Sequence, residues 1–383
     1  MTASKIEWTD RSDWNPIRGC TRISPGCGGP GDHGGCYAEA MAARFSDPGQ
    51  WGHGFAERTA KGGRWTGEVA IQCDRIDLPL RWRIPAKIFA SSTSDFFHAA
   101  LEMGDVAQLF GVMIAAHHLR GHIFQVLTKR SDIMLAWLNE PEFWEIANAS
   151  AEAHVMERVD PLDRRSDDAR ATLDDYGPNN PPPGIWLGVS VEDQQRADER
   201  REDLRNTPAS VKFVSYEPAL GPVDWVGWGF VDQIIGGGES GPKARPAHPN
   251  WFRYTRDWCA WNRVEYFHKQ NGEWLPTSSV DIYCHGPERN QRQYPNAEGL
   301  SMLADGRICC RDFSVKEHAR RIAAGEACNS RAVDVDKAAL DDFWATLDGP
   351  GPVNPLGYQW LYRVGKKAAG RLLDGVEHNG MPA

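Results

Sequence analysis

Short apolar runs recur along the chain, each closing on small or polar residues and most followed by a helical stretch. Lys87-Ile88-Phe89-Ala90 leads into Ser91-Ser92-Thr93-Ser94-Asp95, and Ile123-Phe124-Gln125-Val126-Leu127 into Thr128-Lys129-Arg130. Ile185-Trp186-Leu187-Gly188-Val189 leads into Ser190-Val191-Glu192-Asp193, and Val211-Lys212-Phe213-Val214 into Ser215-Tyr216-Glu217-Pro218. Two further runs are Gln233-Ile234-Ile235, before Gly236-Gly237-Gly238-Glu239-Ser240, and Val264-Glu265-Tyr266-Phe267, before His268-Lys269-Gln270. Runs that are continuous rather than alternating predict strands covered on both faces, as in a parallel sheet. Helical patterns fall between them, roughly over Val106 to Leu119, Ser131 to Leu138, Asp193 to Leu204 and Asn250 to Asn262. Alternating strands and helices predict an α/β barrel or a doubly wound sheet, and in either the C-terminal strand ends form the edge that carries chemistry.

Two segments interrupt this rhythm. Residues 140–184 are acidic and close on Asn179-Asn180-Pro181-Pro182-Pro183, which reads as an inserted helix followed by a loose linker. From Trp274 to about Gly357 the pattern is irregular, with a hairpin expected around Ala304-Asp305-Gly306-Arg307. The remainder is basic, with Arg363, Lys366, Lys367 and Arg371 close together. The expected organisation is a barrel over 1–273 with its insertion, an irregular insertion over 274–357, and a basic tail over 358–383.

Composition narrows the class. A chain of 383 residues with 41% hydrophobic content can bury a sizeable core. Its formal net charge of -9 argues against broad clinging to nucleic acid, while leaving room for a local basic groove. The first residues show no apolar signal core, and no run approaches the roughly 18 to 20 apolar residues that span a bilayer. A cytoplasmic protein without a membrane partner is therefore expected. In such a compartment the nine cysteines read first as metal or redox ligands rather than disulfides.

The strongest chemical signal is Cys20-Thr21-Arg22-Ile23-Ser24-Pro25-Gly26-Cys27, with Cys36 following after eight residues that include five glycines. Glycines let a backbone fold tightly round a bulky inorganic ligand. Tyr37 to Phe45 looks helical, so Cys36 falls near a helix N-terminus, where the thiolate is favoured. Thiolates are the usual ligands of iron–sulfur clusters, and three of them leave one iron of a cubane open. Two rival readings of these residues are a zinc knuckle completed by His33 and three buried thiols without a ligand. Cys284, Cys309, Cys310 and Cys328 raise the separate question of a second metal site. Trp8, Trp14, Trp51 and Trp65 read more readily as core than as base-stacking platforms.

Several stretches resemble a phage-associated three-cysteine-motif family of radical S-adenosylmethionine (SAM)-like proteins. They are Ile6-Glu7-Trp8-Thr9-Asp10, Trp14-Asn15-Pro16, Gly19-Cys20, Ser24-Pro25-Gly26-Cys27 and Cys36-Tyr37-Ala38-Glu39. Ser94-Asp95-Phe96-Phe97-His98, Leu127-Thr128-Lys129-Arg130, Ser215-Tyr216-Glu217-Pro218, the glycine run from Gly236 to Gly241, Lys269-Gln270 and the tail from Gly365 to Arg371 match as well. The family usually places two residues between the second and third cysteines, whereas this chain has eight. The resemblance implies a radical-SAM-type partial β/α TIM-like barrel. It implies a [4Fe-4S] cluster on Cys20, Cys27 and Cys36, with SAM chelating the open iron. The implied reaction is reductive cleavage of SAM to methionine and a 5′-deoxyadenosyl radical that abstracts hydrogen from substrate, with an electron donor such as flavodoxin or ferredoxin. By position, Ser92, Ser94 and Asp95 would meet SAM's amino group, and Thr128, Lys129, Ser190, Glu192 and Glu217 its ribose and carboxylate. Glu239 and Lys269 would be the catalytic groups at the substrate. Each of these residues alone reads equally well as a strand-end cap or a solvated charge. A nucleobase or nucleotide in phage-type DNA modification is the substrate class implied. The rival from another class is a non-catalytic iron–sulfur or zinc protein that binds nucleic acid or a protein partner.

Overall fold

The computed structural model describes residues 4, 6–28, 35–158, 173, 175–276, 298–314 and 359–382. His33, Cys284 and Cys328 lie outside the described residues, as do the side chains of Cys309 and Cys310, so the second-metal question falls outside them too.

After helix α1 (Tyr37–Arg44), six strands form one parallel sheet: β1 (Lys87–Ala90), β2 (Ile123–Thr128), β3 (Ile185–Ser190), β4 (Val211–Tyr216), β5 (Gln233–Gly237) and β6 (Glu265–Gln270). Their spatial order is their chain order, and all neighbours are parallel. A doubly wound sheet reverses its order at a switch point. None occurs here, and the sheet curls into a half-barrel. The choice that the hydrophobic pattern left open thus falls to the barrel side.

Both faces of the sheet are covered, which is why the strands read as continuous apolar runs. Helices α2 (Met103–Arg120), α3 (Ser131–Leu138), α4 (Pro141–Arg158), α5 (Gln194–Asn206) and α6 (Pro249–Asn262) accompany the strands, and residues of all five join the main core. The helix expected in the insertion over 140–184 is present. Helix α4 packs along α2, burying Phe143, Trp144, Ala147, Ala151 and Val155, and Phe110 meets Phe143 edge-on at 5.0 Å.

The concave face is filled from the two ends of the chain. Trp8 packs with Trp186, Phe213, Ile235 and Phe267, and Ile6 and Met381 close round them. The Trp8 ring lies 4.7 Å from that of Phe89. The same end segments cover the sheet's edges. Arg11 bridges Ile88 in parallel beside β1, and Asn379 bridges Phe267 antiparallel beside β6. An open strand edge is a template for unwanted pairing, and here each edge is occupied.

Beyond β6 the described residues hold a second sheet. Three strands within the expected insertion, β7 (Trp274–Pro276), β8 (Glu298–Met302) and β9 (Ile308–Ser314), and one from the expected tail, β10 (Gln359–Arg363), form an antiparallel sheet in the order β7-β10-β8-β9. The hairpin at Ala304 to Arg307 joins β8 to β9. The basic stretch after it runs back along β6 instead of leading away: His268 donates its N–H to His378 at 2.9 Å, and Gly380 donates to Tyr266 at 2.9 Å.

Candidate cofactor site

Alternation along the strands decides which polar residues reach the barrel's interior. Leu127, Trp186, Phe213, Ile235 and Phe267 belong to the cluster round Trp8. Continuing the same period past each of them brings Lys129, Ser190 and Glu192, Glu217, Glu239 and Lys269 to the C-terminal rim. Between the two levels stand Gly188, Ser215 and Gly237, small residues that leave the rim side chains room to turn inward.

The three cysteines lie over this rim. Cys20 follows the short strand Ile17–Arg18, which pairs with Ala70–Ile71. Cys27 ends a one-turn helix, Pro25–Cys27, and Cys36 is the N-cap of α1. All three thiols are free, and Cys20 feels the charge of both others. Among the described residues, no three His, Cys, Asp or Glu side chains gather as a single metal ion would require.

Strand-end residues hold this loop at several points. Beyond β2, Arg130 donates through Nη2 to the carbonyl and hydroxyl of Thr21, at 3.1 and 2.9 Å. Beyond β3, Glu192 accepts from Ser24 Oγ at 2.5 Å, and Gly26 is required because a Cβ there would lie 2.4 Å from a Glu192 oxygen. Beyond β5, Glu239 accepts from Gly35 N at 3.4 Å, and its partner Arg245 donates to Pro25 O at 2.9 Å. From the β1 side the carbonyl of Ser92 accepts from the Tyr37 hydroxyl.

The electrostatics follow from burial. Burial pushes the Cys20 thiol up to about 12; Asp95 adds to this and the Arg130 guanidinium opposes it. Burial likewise raises the Cys36 thiol, while the N–H groups of Glu39 and Ala38 at the start of α1 pull it down. The thiols of Cys20 and Cys36 are therefore protonated in the metal-free chain at neutral pH, and metal uptake there must release protons. For Glu192, burial favours the neutral acid, but Lys129 at 2.7 Å and Arg200 at 2.9 Å overcome it and hold the carboxyl at about 2.

The expected cofactor contacts separate into two kinds. Asp95 is buried and already accepts from Thr128 Oγ1 (2.6 Å), Phe97 N (3.0 Å), Lys129 N (3.2 Å) and Arg130 Nη1 (2.8 Å). Its lone pairs are taken, so Asp95 and Thr128 pin β1 to β2 rather than face a ligand. Ser92 Oγ is turned toward Ser12 O and Asn15 Oδ1. Ser190 is buried at the end of β3, where its carbonyl accepts from Arg200 at 2.6 Å. Lys129 and Glu192 pair with each other, Glu217 with Lys269 (2.8 Å) and Gln270 (2.9 Å), and Glu239 with Arg245 (2.7 Å). Ser94 is the exception, because its hydroxyl is buried without a hydrogen-bond partner. The same holds for Ser91 Oγ, whose residue sits at a φ of 51° on the same turn. A buried orphan hydroxyl calls for an explanation, and a bound group is one.

The glycine run after β5 has a steric cause at Gly238, where a Cβ would come within 2.5 Å of Asn271 O. Trp14 and Trp8 are buried, and Trp51 and Trp65 pack against Ala42, Ala43 and Ala56, so all four serve as core. Sequence reasoning passed over Arg130, Arg200, Arg245 and the buried Glu39, which accepts from Arg22 Nε at 3.0 Å and Trp65 N at 3.0 Å. For Arg130 and Glu39 the signal was present, since both sit inside motif stretches. For Arg200 and Arg245 it was not.

Among the described residues no helix is long and apolar enough to cross a membrane. No curated protein matches the chain, and no solved structure does. The one family found matches over residues 3–382, nearly the whole length, and the chain therefore belongs to the family described as a protein of unknown function, DUF5131.

Proposed function

We propose that this chain is a cytoplasmic radical SAM enzyme of the three-cysteine-motif kind, with a [4Fe-4S] cluster on Cys20, Cys27 and Cys36. The observation that carries the reading is the placement of three free thiols on one loop over the C-terminal rim of a parallel half-barrel, tied to it from β2, β3 and β5. In barrels built this way the rim is where the chemistry sits. The residues present fit such a group. Three free thiols on one loop are the donor set that such a cluster takes, and the orphan hydroxyls of Ser91 and Ser94 are donors for a polar ligand. When bound and reduced by a ferredoxin- or flavodoxin-type donor, the cluster supplies one electron to SAM, which parts into methionine and a 5′-deoxyadenosyl radical.

The chain's own part is to bind, orient and exclude. Trp8 and its neighbours close the barrel from beneath, which keeps water away from the rim side. Lys269 is held by Glu217, whose charge reaches Tyr37 beside Cys36, and is the charged group left to meet substrate. Glu239, taken up by Arg245 and Gly35, supports the loop instead. Anaerobic reduction in the presence of SAM tests the reading. The expected product is 5′-deoxyadenosine, and an intact cluster that leaves SAM whole would turn the protein into a non-catalytic iron–sulfur protein. Ser94→Ala is expected to weaken SAM binding about tenfold, the worth of one hydrogen bond to a charged group, without lowering stability; equilibrium dialysis and a thermal melt check the two halves.

For the substrate we favour a nucleobase within nucleic acid. The basic tail is drawn into ion pairs: Lys366 lies 3.7 Å from Glu7, and Arg371 lies 3.7 Å from Glu377. Support comes from another place. The hairpin Ala56–Thr59/Gly62–Trp65 lies along α1, the helix that Cys36 caps, and carries Lys61 at its turn. Lys243, beyond β5, reaches the carbonyl of Lys61 at 3.4 Å. Replacing Lys61 and Lys243 by Gln is expected to lower the log–log salt slope of binding by about 0.9 per phosphate contact on duplex and about 0.7 on single strands. Negligible affinity of the unaltered chain for both polymers would redirect the search to small molecules.

A further inference from the structure

Arg130 does more than tie the loop down. It is 6% exposed. Its Nη1 donates to Asp95 Oδ2 at 2.8 Å and also approaches Cys20 Sγ at 3.9 Å, within hydrogen-bond range for sulfur. Its Nη2 is committed to Thr21, whose hydroxyl in turn meets His98 Nε2 at 2.9 Å. The carboxylate opposite is fixed just as firmly by Thr128, Phe97 and Lys129. A buried cation and a buried anion are thus both held within electrostatic reach of the first cysteine's sulfur. Such a pair is not required to close the strand ends, since Asp95 already joins β1 to β2 through the Thr128 hydroxyl and the Lys129 N–H.

We infer that Arg130 is a positioning residue that sets the reduction potential of a cluster bound at Cys20, with Asp95 as its counterweight; the inference rests on the cluster reading above. Reduction adds one negative charge, part of which falls on the ligating sulfurs. A guanidinium hydrogen-bonded to one of those sulfurs stabilises the reduced state more than the oxidised one and raises the potential. A carboxylate held against that guanidinium, whose charge also reaches the sulfur, does the reverse, and neither is strongly screened because both are buried.

The two residues should therefore move the potential in opposite directions. The experiment is a redox titration followed by EPR on the anaerobically reconstituted full chain, with iron and sulfide measured in each protein. Arg130→Met is expected to lower the ratio of reduced to oxidised cluster about tenfold at a given applied potential, a shift of about 59 mV for one electron. Arg130→Lys, which keeps the charge, should fall between it and the unaltered chain. Asp95→Asn should shift the midpoint the other way, and it decides the matter alone if Arg130→Met fails to hold a cluster. Equal midpoints in all loaded proteins would overturn the assignment and leave the cluster standing. Shifts of the same sign in Arg130→Met and Asp95→Asn would also overturn it, because a loosened loop would act alike in both. An unaltered chain that takes up no cluster would remove the proposed function and this assignment together.

Discussion

Replacing Cys20, Cys27 or Cys36 singly by alanine is expected to drop the iron and sulfide content from about four of each per chain to near zero. The three thiols come from three separately held points: a loop after a short strand, a one-turn helix, and the cap of α1. No described neighbour stands ready to replace one that is lost, since the carboxylates nearest the loop, Asp95, Glu192 and Glu239, are each bound to an arginine. Two remaining thiolates hold a cubane poorly, so the brown colour and its broad visible absorption should both go. The fold should survive, because the loop's ties through Thr21 and Ser24 do not pass through sulfur, and only Cys27 of the three is buried. Iron and sulfide assays with a thermal melt on each variant measure the two outcomes. Stoichiometric zinc in place of iron in the unaltered chain would refute the central reading.

The second large effect is expected at Glu192. Its side chain is fully buried between Lys129 and Arg200 and also receives Ser24. Glu192→Gln keeps the shape but leaves the buried Arg200 and the half-buried Lys129 facing a neutral amide. Breaking one side of a buried ion pair costs about 3–5 kcal/mol, which is a sizeable share of a domain's net stability of about 5–15 kcal/mol. Urea unfolding of the metal-free chain at neutral pH should show a midpoint lowered accordingly. The pH dependence has a definite sign. The carboxyl sits at about 2 in the folded chain, against 4.5 for an ordinary glutamate. Its contribution is therefore complete above pH ~4.5 and is lost as pH falls from there through about 2. The unaltered chain should lose stability over that window more steeply than the variant, so the two curves converge in acid. Parallel curves would mean that Glu192 is not held by its cations. Because Glu192 also holds Ser24, three positions before Cys27, the variant should take up less iron as well.

How far the fold could be read from residues depended on what each element buries. The six strands were legible within a few positions because helices cover one face and the Trp8 cluster the other, so each strand is apolar throughout. Tyr37 to Arg44 was legible as a helix that begins at Cys36, and the structure places it there. The order of the strands was not legible, since apolar runs say nothing about neighbours; it needed the pairing of β1 to β2 and onward. Nor was the filling of the barrel, which joins Trp8 to Met381 across almost the whole chain.

The site divides in the same way. Cysteines and glycines have few other uses in such a loop, so the loop stood out. The roles of the charged rim residues did not, because a side chain's function depends on how many donors arrive at it. Asp95 looks like a ligand contact until its four donors are counted. Arg200 and Arg245 look like ordinary surface charges, as arginines mostly are, until a buried carboxylate is found against each. What the residue pattern did carry correctly was the rim as a set, since strand alternation alone sends Lys129, Glu192, Glu217, Glu239 and Lys269 to one end.

The double closure of the barrel by Ile6 and Trp8 from one side and Met381 from the other bears on how the chain folds as it is synthesised. The six strands and their helices can pair in the order in which they emerge, each against the one before. Ile6 and Trp8 are available from the start, but the part of the cluster that Met381 closes, and the edge of β6, stay open until residues 378–381 emerge from the ribosome. Closure of this kind joins distant parts of the sequence and is slow compared with local pairing. The nascent half-barrel should accordingly be a substrate for chaperones that shield hydrophobic surface. A chain cut after Gly375 would remain in that unfinished state, with its helices formed, the Met381 side of the inner cluster open and the edge of β6 unpaired.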